Sequence, residues 1–279
     1  MRRSLTITFC GRPNVGKSTL MNTLMDCKVA ICSPKPQTTR ENVRGILTQD
    51  NCQLVFVDTP GIFRPKLSQL EHQIVKEAWQ GFCGTDMICL IIDGSDSFDN
   101  SAKSILEKTK QSGVPVIGII NKSDLIDIDK KILLADEMWK TGRFKEIFSL
   151  SAKKNKGCKQ LLQYFFDNAP AREWMFLEED ISDKDNNFFA SEFVREQLFN
   201  ILQQELPYML SCETEMYQET ADGIEISVLV KVGKSNHKKM ILGHSGSNLR
   251  RIIKNASRNL EELFQKPVRL KIFVRNEKK

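Results

Sequence analysis

Three short clusters in this 279-residue chain carry side chains that together handle phosphate, magnesium and a purine base. The first is Gly11-Arg12-Pro13-Asn14-Val15-Gly16-Lys17-Ser18, which fits G-x-x-x-x-G-K-[ST] at every fixed position. Its glycines let the backbone wrap an anion without a Cβ in the way, and its amides form a nest for phosphate oxygens. Lys17 reaches the terminal phosphates as a point charge, and Ser18 offers a hydroxyl to a magnesium ion. The second cluster is Asp58-Thr59-Pro60-Gly61. An Asp ending a strand beside such a loop holds magnesium, and Gly61 can bring its amide to a γ-phosphate. The third is Asn121-Lys122-Ser123-Asp124. A fixed carboxylate at Asp124 accepts both the ring N–H and the exocyclic amine of guanine, a donor pair that adenine lacks. Buried polar groups left unpaired by the wrong base are the source of such discrimination. Asn121 would brace the loops and Lys122 would lie over the base. Ser151-Ala152-Lys153, after Phe148-Ser149-Leu150, adds an amide able to donate to the guanine carbonyl oxygen.

Between the first two clusters runs Ser33-Pro34-Lys35-Pro36-Gln37-Thr38-Thr39-Arg40, a polar loop marked by two prolines. A threonine here is placed to give magnesium its second hydroxyl. Thr39 is the first choice and Thr38 the second. Such a segment orders on γ-phosphate and magnesium and relaxes when the phosphate leaves.

The elements that must position these clusters are legible as hydrophobic pattern. Leu5 to Phe9 alternates as a strand before the glycine loop. Thr19 to Met25 follows as a helix with Leu20 and Leu24 on one face, its positive end under the phosphates. Gln53–Asp58, Met87–Asp93 and Val114–Ile120 are apolar runs of the kind that fill parallel strands covered on both faces. Amphipathic stretches at 67–82, 101–111 and 130–139 alternate with them, which predicts an α/β domain with a doubly wound, mostly parallel sheet. Sites in such sheets lie at the carboxyl ends of the strands, where every cluster falls.

Composition narrows the partners. The eight cysteines include no C-x-x-C pair and no zinc spacing, so they read as reduced thiols. No apolar run approaches the roughly 18 residues of a membrane span, and Gly11-Arg12 cuts the N-terminal run too early for a signal peptide. Net charge is +6, unevenly placed: residues 222–279 hold 14 Lys/Arg against 5 Asp/Glu, so that the preceding 221 residues carry −3. A basic module on a mildly acidic body points to nucleic acid.

That module has its own pattern. Residues 169–187 are acidic and irregular and read as a linker, leaving 1–168 and 188–279 as domains. Phe189 to Leu206 has a helical apolar face, 214–219 and 224–232 form a hairpin about Asp222-Gly223, and 248–265 is helical. Val268 to Val274 alternates as a last strand. Gly243-His244-Ser245-Gly246 sits between helical segments. The order resembles an α+β KH domain of the bacterial type, type II, whose G-x-x-G loop presses on a nucleic-acid backbone. Lys234, Lys238, Lys239, Arg250 and Arg251 would supply phosphate contacts, while His244 and Ser245 bring no fixed cation.

Taken together, G-x-x-x-x-G-K-S, T-T-R, D-T-P-G, N-K-S-D and S-A-K resemble the five signature elements of P-loop GTPase domains over roughly residues 6–167. The resemblance makes Gly11 to Thr19, Asp58 to Ile62, Asn121 to Asp124 and Ser151 to Lys153 nucleotide-binding. It gives Ser18, Thr39 or Thr38, and Asp58 to magnesium, and Lys17, Thr39, Gly61 and Asn14 to catalysis. Ile62 stands where many signalling GTPases carry a water-orienting glutamine. This is similar to the hydrophobic-substituted GTPases, in which the residue matching Asn14 is associated with K+. GTPase plus KH domain, with Phe189-Ala190-Ser191-Glu192, Arg195-Glu196 and Glu205-Leu206-Pro207-Tyr208, is similar to the Era family. Family members commonly continue into a terminal helix, whereas this sequence stops at Asn276-Glu277-Lys278-Lys279, so no role of that helix carries over. The resemblance implies a cytoplasmic, monomeric GTP hydrolase that binds small-subunit ribosomal RNA and assists assembly of that subunit. The rival readings are a GTP-liganded RNA-binding switch that does not hydrolyse, and a signalling GTPase whose basic tail makes a peripheral contact with the inner face of the membrane. The tail's alternating strands favour a packed domain over an amphipathic anchor. A tRNA-modifying GTPase would need a second catalytic constellation, and none is visible.

Overall fold

The computed structural model describes residues 1–35, 38–62, 69–202 and 206–276. Pro36 and Gln37 of the proline loop, Leu67 and Ser68 of the expected second helix, Glu205 and residues 277–279 lie outside them. Two compact units result: residues 1–32 with 39–183, and residues 33–38 with 184–279.

The first unit is built on a six-stranded sheet in the order β2-β3-β1-β4-β5-β6. These strands are β1 (Arg3–Cys10), β2 (Val43–Gln49), β3 (Cys52–Asp58), β4 (Met87–Asp93), β5 (Val116–Asn121) and β6 (Phe144–Ser149). All neighbours are parallel except β2 and β3. Helices α1 (Lys17–Met25), α2 (Gln69–Gln80), α3 (Asn100–Thr109), α4 (Ile128–Trp139) and α5 (Cys158–Asp167) complete it. Strands β3 and β4 are buried along almost their whole length, as their unbroken apolar runs require. On one face Ile88, Leu90 and Ile92 pack with Leu134, Met138 and Phe144. Elsewhere in the core Phe9 stacks on Phe56 at 5.6 Å between centroids, and Phe56 meets Phe165 at 5.9 Å.

The stretch expected as a linker, 169–187, does not run as free chain. Its first part, to Asp183, is built into the first unit. Ser4 donates its amide to Pro170 O at 3.1 Å, and Ile46 donates to Ile181 O at 3.0 Å. Ser182 Oγ donates to Arg44 O at 2.6 Å, and the Arg44 amide donates to an Asp183 carboxylate oxygen at 3.0 Å. The strap thereby covers the outer edge of β2, a row of backbone groups that would otherwise template pairing. Gln53, fully buried, hooks it down. Its Oε1 accepts from the Met175 and Phe176 amides at 3.0 and 3.1 Å, and its Nε2 donates to Phe176 O at 3.0 Å.

The second unit has a three-stranded sheet, β7 (Leu210–Thr220), β8 (Gly223–Val232) and β9 (Val268–Asn276), in sequence order, with β7 antiparallel and β9 parallel to β8. Helices α6 (Asn186–Ile201), α7 (Ser235–Leu242) and α8 (Ser247–Phe264) belong to it. The Asp185 side chain caps α6 by accepting from the Phe188 amide at 2.8 Å, so the helix starts before the expected Phe189.

Candidate functional site

The glycine loop joins β1 to α1 at the carboxyl end of the sheet. Gly16 caps α1 at φ 98°, and a Cβ there would lie 2.3 Å from Asn121 Nδ2. Only glycine satisfies both the left-handed backbone and that approach. Lys17 opens α1 with its side chain nearly buried, and its Nζ donates to Arg12 O at 3.0 Å and Gly11 O at 3.3 Å. The ammonium therefore sits within the curl of the loop. Burial lowers its pKa, opposed by Asp58 and Cys10. The Arg12 side chain turns to Asp99 at 3.1 Å and Asp96 at 3.5 Å, so that only its backbone belongs to the loop.

Next to the loop lies a cluster of oxygens. Ser18 Oγ donates to Asp58 Oδ2 at 2.6 Å and lies 3.2 Å from Thr39 Oγ1, which is 3.5 Å from the same Oδ2. Asp58 is fully buried, which pushes its pKa up to about 6 against the pull of Lys17, Ser18 and Thr39. Its Oδ1 is buried with no hydrogen-bond partner among the described residues. Two hydroxyls and one carboxylate, one of whose oxygens is buried and unsatisfied, are the donor set of a hard divalent cation. The Thr38 hydroxyl donates instead to Lys35 O at 2.8 Å.

Two expected contact residues turn away. The Thr59 hydroxyl, fully buried, donates to Phe9 O at 2.8 Å and ties β3 to β1. Ile62 donates its amide to Gly11 O at 3.0 Å, while its side chain packs in the apolar core with Ala78, Ile88 and Leu90. The Ile62 side chain therefore belongs to the core, where an apolar group is better placed than against phosphate. Gly61 abuts Pro13, whose backbone N would be 2.6 Å from any Cβ at 61.

At the other end, Asn121 is a clamp. Its Nδ2 donates to Val15 O at 2.8 Å and its Oδ1 accepts from the Ala152 amide at 3.0 Å. This ties the glycine loop to the S-A-K loop and commits the Ala152 amide. Asp124 is exposed, and the Ser151 hydroxyl, with Lys154 and Lys153 nearby, holds its carboxyl below the usual range, so it stands ready as an acceptor. The Ser123 amide donates to Leu150 O at 3.1 Å. Residues that motif reading missed are Thr23, whose hydroxyl donates to Ala152 O at 3.0 Å, and Asp93, which accepts from Lys122 Nζ at 2.5 Å. Their signal in the sequence is only that each sits at a strand or helix position facing a motif.

In the second unit the G-x-x-G turn joins α7 to α8. Gly243 has φ 71° and ψ 179°, a conformation essentially restricted to glycine, and Gly246 has φ 77°. Between them His244 and Ser245 are exposed. Lys234 caps α7, and Lys234, Lys238, Lys239, Arg250 and Arg251 are all exposed. Lys254, one helical turn after Arg250 and also exposed, extends the basic face.

Residues 6–122 match a family model described as 50S ribosome-binding GTPase, and residues 205–279 match one described as KH domain. GTPase Era of Mesorhizobium japonicum is 40% identical over 270 residues, covering 96% of this chain and 87% of the relative. The chain belongs to the Era family of GTPases. GTPase Era of Rickettsia akari is 38% identical over 277 residues, covering 98% of this chain and 93% of its own. Among solved structures, an Era in complex with MgGDPNP and nucleotides 1506–1542 of 16S ribosomal RNA aligns with a TM-score of 0.92 at 33% identity, over 100% of this chain and 95% of its own. A variant of Aquifex aeolicus Era bound to GDP.AlF4- aligns equally well at 32% identity. Like its Era relatives, the chain is a GTP hydrolase.

Proposed function

We propose that this Era-family chain hydrolyses GTP, binds small-subunit ribosomal RNA through its KH domain and assists assembly of that subunit. The observation that carries the catalytic half is the convergence of Ser18, Thr39 and Asp58 beside the loop that buries Lys17. The RNA half is supported by the basic face around an exposed G-x-x-G turn and by the Era solved with a 16S ribosomal RNA segment.

In this reading Lys17 and the backbone N–H groups of the loop after Pro13 hold the β- and γ-phosphates, and Lys17 exchanges its two loop carbonyls for phosphate oxygens. Ser18, Thr39 and Asp58 hold magnesium, and the solved Era complex with MgGDPNP supports that assignment. When bound, the ion neutralises charge on the phosphates. Gly61 presents its amide toward the γ-phosphate, close beside Pro13 of the loop. Asp124 reads the guanine edge, Lys122 lies along the base, and the amide of Lys153, next after the one Asn121 occupies, faces the guanine oxygen. Ile62 is packed in the core, so the attacking water is oriented by other groups and catalysis is mainly electrostatic and positional.

The proposal extends to K+ at Asn14, an exposed amide in the left-handed region (φ 65°) of the loop, and to a monomer. Turnover in KCl above that in NaCl, abolished by Asn14→Ala, tests the first. No described helix is long and apolar enough to cross a membrane. Liposome flotation without RNA separates a lipid-binding tail from an RNA-binding one. Electrophoretic shift of small-subunit ribosomal RNA by the full chain, lost in the doubly substituted His244→Asp and Ser245→Asp variant, tests the RNA assignment.

A further inference from the structure

We propose that Asp93 is a positioning residue for holding the nucleotide base, acting by fixing Lys122. Asp93 ends β4 and stands in register with Asn121 at the end of β5. Its two oxygens are both engaged: Oδ2 accepts from Lys122 Nζ at 2.5 Å, and Oδ1 accepts from the Ser95 amide at 2.9 Å. The Gly94 amide donates to Asn121 O at 2.8 Å, so the two strand ends are joined by backbone as well. Lys122 itself sits at φ 56°, a left-handed turn that lifts its side chain out of the strand direction.

These contacts do something specific to a lysine. Its four-carbon stem is flexible, and its ammonium is a point charge that accepts many geometries. Pinning the ammonium on Asp93 at one end, with the Cα held by the N-K-S-D turn at the other, fixes the course of the stem between them. That stem is the apolar surface available to the face of a base. The pair is partly withdrawn from solvent, with side chains 33% and 15% exposed, so it is screened less than a surface ion pair. Contact with the face of a base does not distinguish one purine from another, whereas Asp124 contacts the edge. Asp93 therefore governs how firmly a base is held and leaves its identity to Asp124.

The inference rests on the proposed placement of Lys122 over the base. The test measures release of fluorescent-labelled GDP and IDP from the full chain in magnesium buffer. Wild type is compared with Asp93→Asn, Asp93→Glu, Lys122→Met and the double variant Asp93→Asn with Lys122→Met. Asparagine keeps an acceptor for the Ser95 amide, and thermal unfolding checks that each variant is folded. Asp93→Asn is expected to speed release of GDP and IDP by the same factor, about fivefold for one coupled charge pair. Asp93→Glu should recover part of the loss, and the double variant should release no faster than Lys122→Met alone. Unchanged release from Asp93→Asn beside faster release from Lys122→Met overturns this inference and leaves the base-contact reading standing. Unchanged release from Lys122→Met overturns both. Factors that multiply in the double variant overturn the claim that Asp93 acts through Lys122.

Discussion

Replacing Asp58 by Asn should stabilise the metal-free protein while disabling it. The Asp58 carboxyl is fully buried and its pKa is raised from 3.8 to about 6. A raised carboxyl pKa means the folded state binds the proton more tightly than the unfolded state. Its contribution to stability is therefore fully present below about 4, falls as pH rises, and is lost above about 6. The gap of roughly 2 units at 1.36 kcal/mol each corresponds to about 3 kcal/mol of charge burial borne at pH 8. Asparagine keeps an acceptor for Ser18 and carries no charge at any pH. The assay is urea unfolding in EDTA without nucleotide. It is followed by tryptophan fluorescence, since Trp79, Trp139 and Trp174 all lie in the first unit. The variant should be more stable by up to about 3 kcal/mol at pH 8, and the gain should shrink toward zero by about pH 4. Magnesium should no longer tighten its hold on GTP. A variant no more stable than wild type at pH 8, or a difference that does not change with pH, would refute the reasoning.

Three further outcomes are expected. Gln53→Leu removes the buried hook of the strap and should cost about 2–3 kcal/mol, with tryptic cleavage at Arg172 accelerated. Ile62→Gln places an amide in the apolar core, so it should destabilise the first unit by about 2–4 kcal/mol and leave turnover no higher. The joint substitution His244→Asp and Ser245→Asp sets two negative charges on the exposed tip. It should weaken RNA binding by about tenfold or more without shifting the unfolding midpoint. It is a cleaner test than Gly243→Asp, whose Cβ would meet the Asn248 backbone at 2.9 Å.

The parts of the site that were legible in the sequence are contiguous motifs, in which backbone and side chain cooperate within a few residues. The glycine loop, Asp58 and Asn121 to Asp124 fall where strand-end geometry demands. The choice between Thr38 and Thr39 was not legible, because adjacent threonines differ only in where the chain turns each hydroxyl. Strand β2, whose Val-Arg-Gly-Ile-Leu-Thr-Gln pattern alternates poorly, is set by pairing with β3 along its whole length. The strap was misread for a related reason. Its acidity describes its exposed side, while its anchor, Gln53, lies more than a hundred residues earlier and looks like a polar interruption in a strand. Asp93 reads only as a strand terminus, because its partner, Lys122, follows the end of the neighbouring strand.

One chain that both hydrolyses GTP and binds small-subunit ribosomal RNA is the proposed function, and its strongest form is that RNA binding changes turnover. The most direct test is GTP turnover in magnesium and KCl, with and without small-subunit ribosomal RNA, for wild type beside the joint variant His244→Asp and Ser245→Asp. The account predicts stimulation by RNA in the wild type and none in the variant. Equal turnover with and without RNA in both proteins would contradict it.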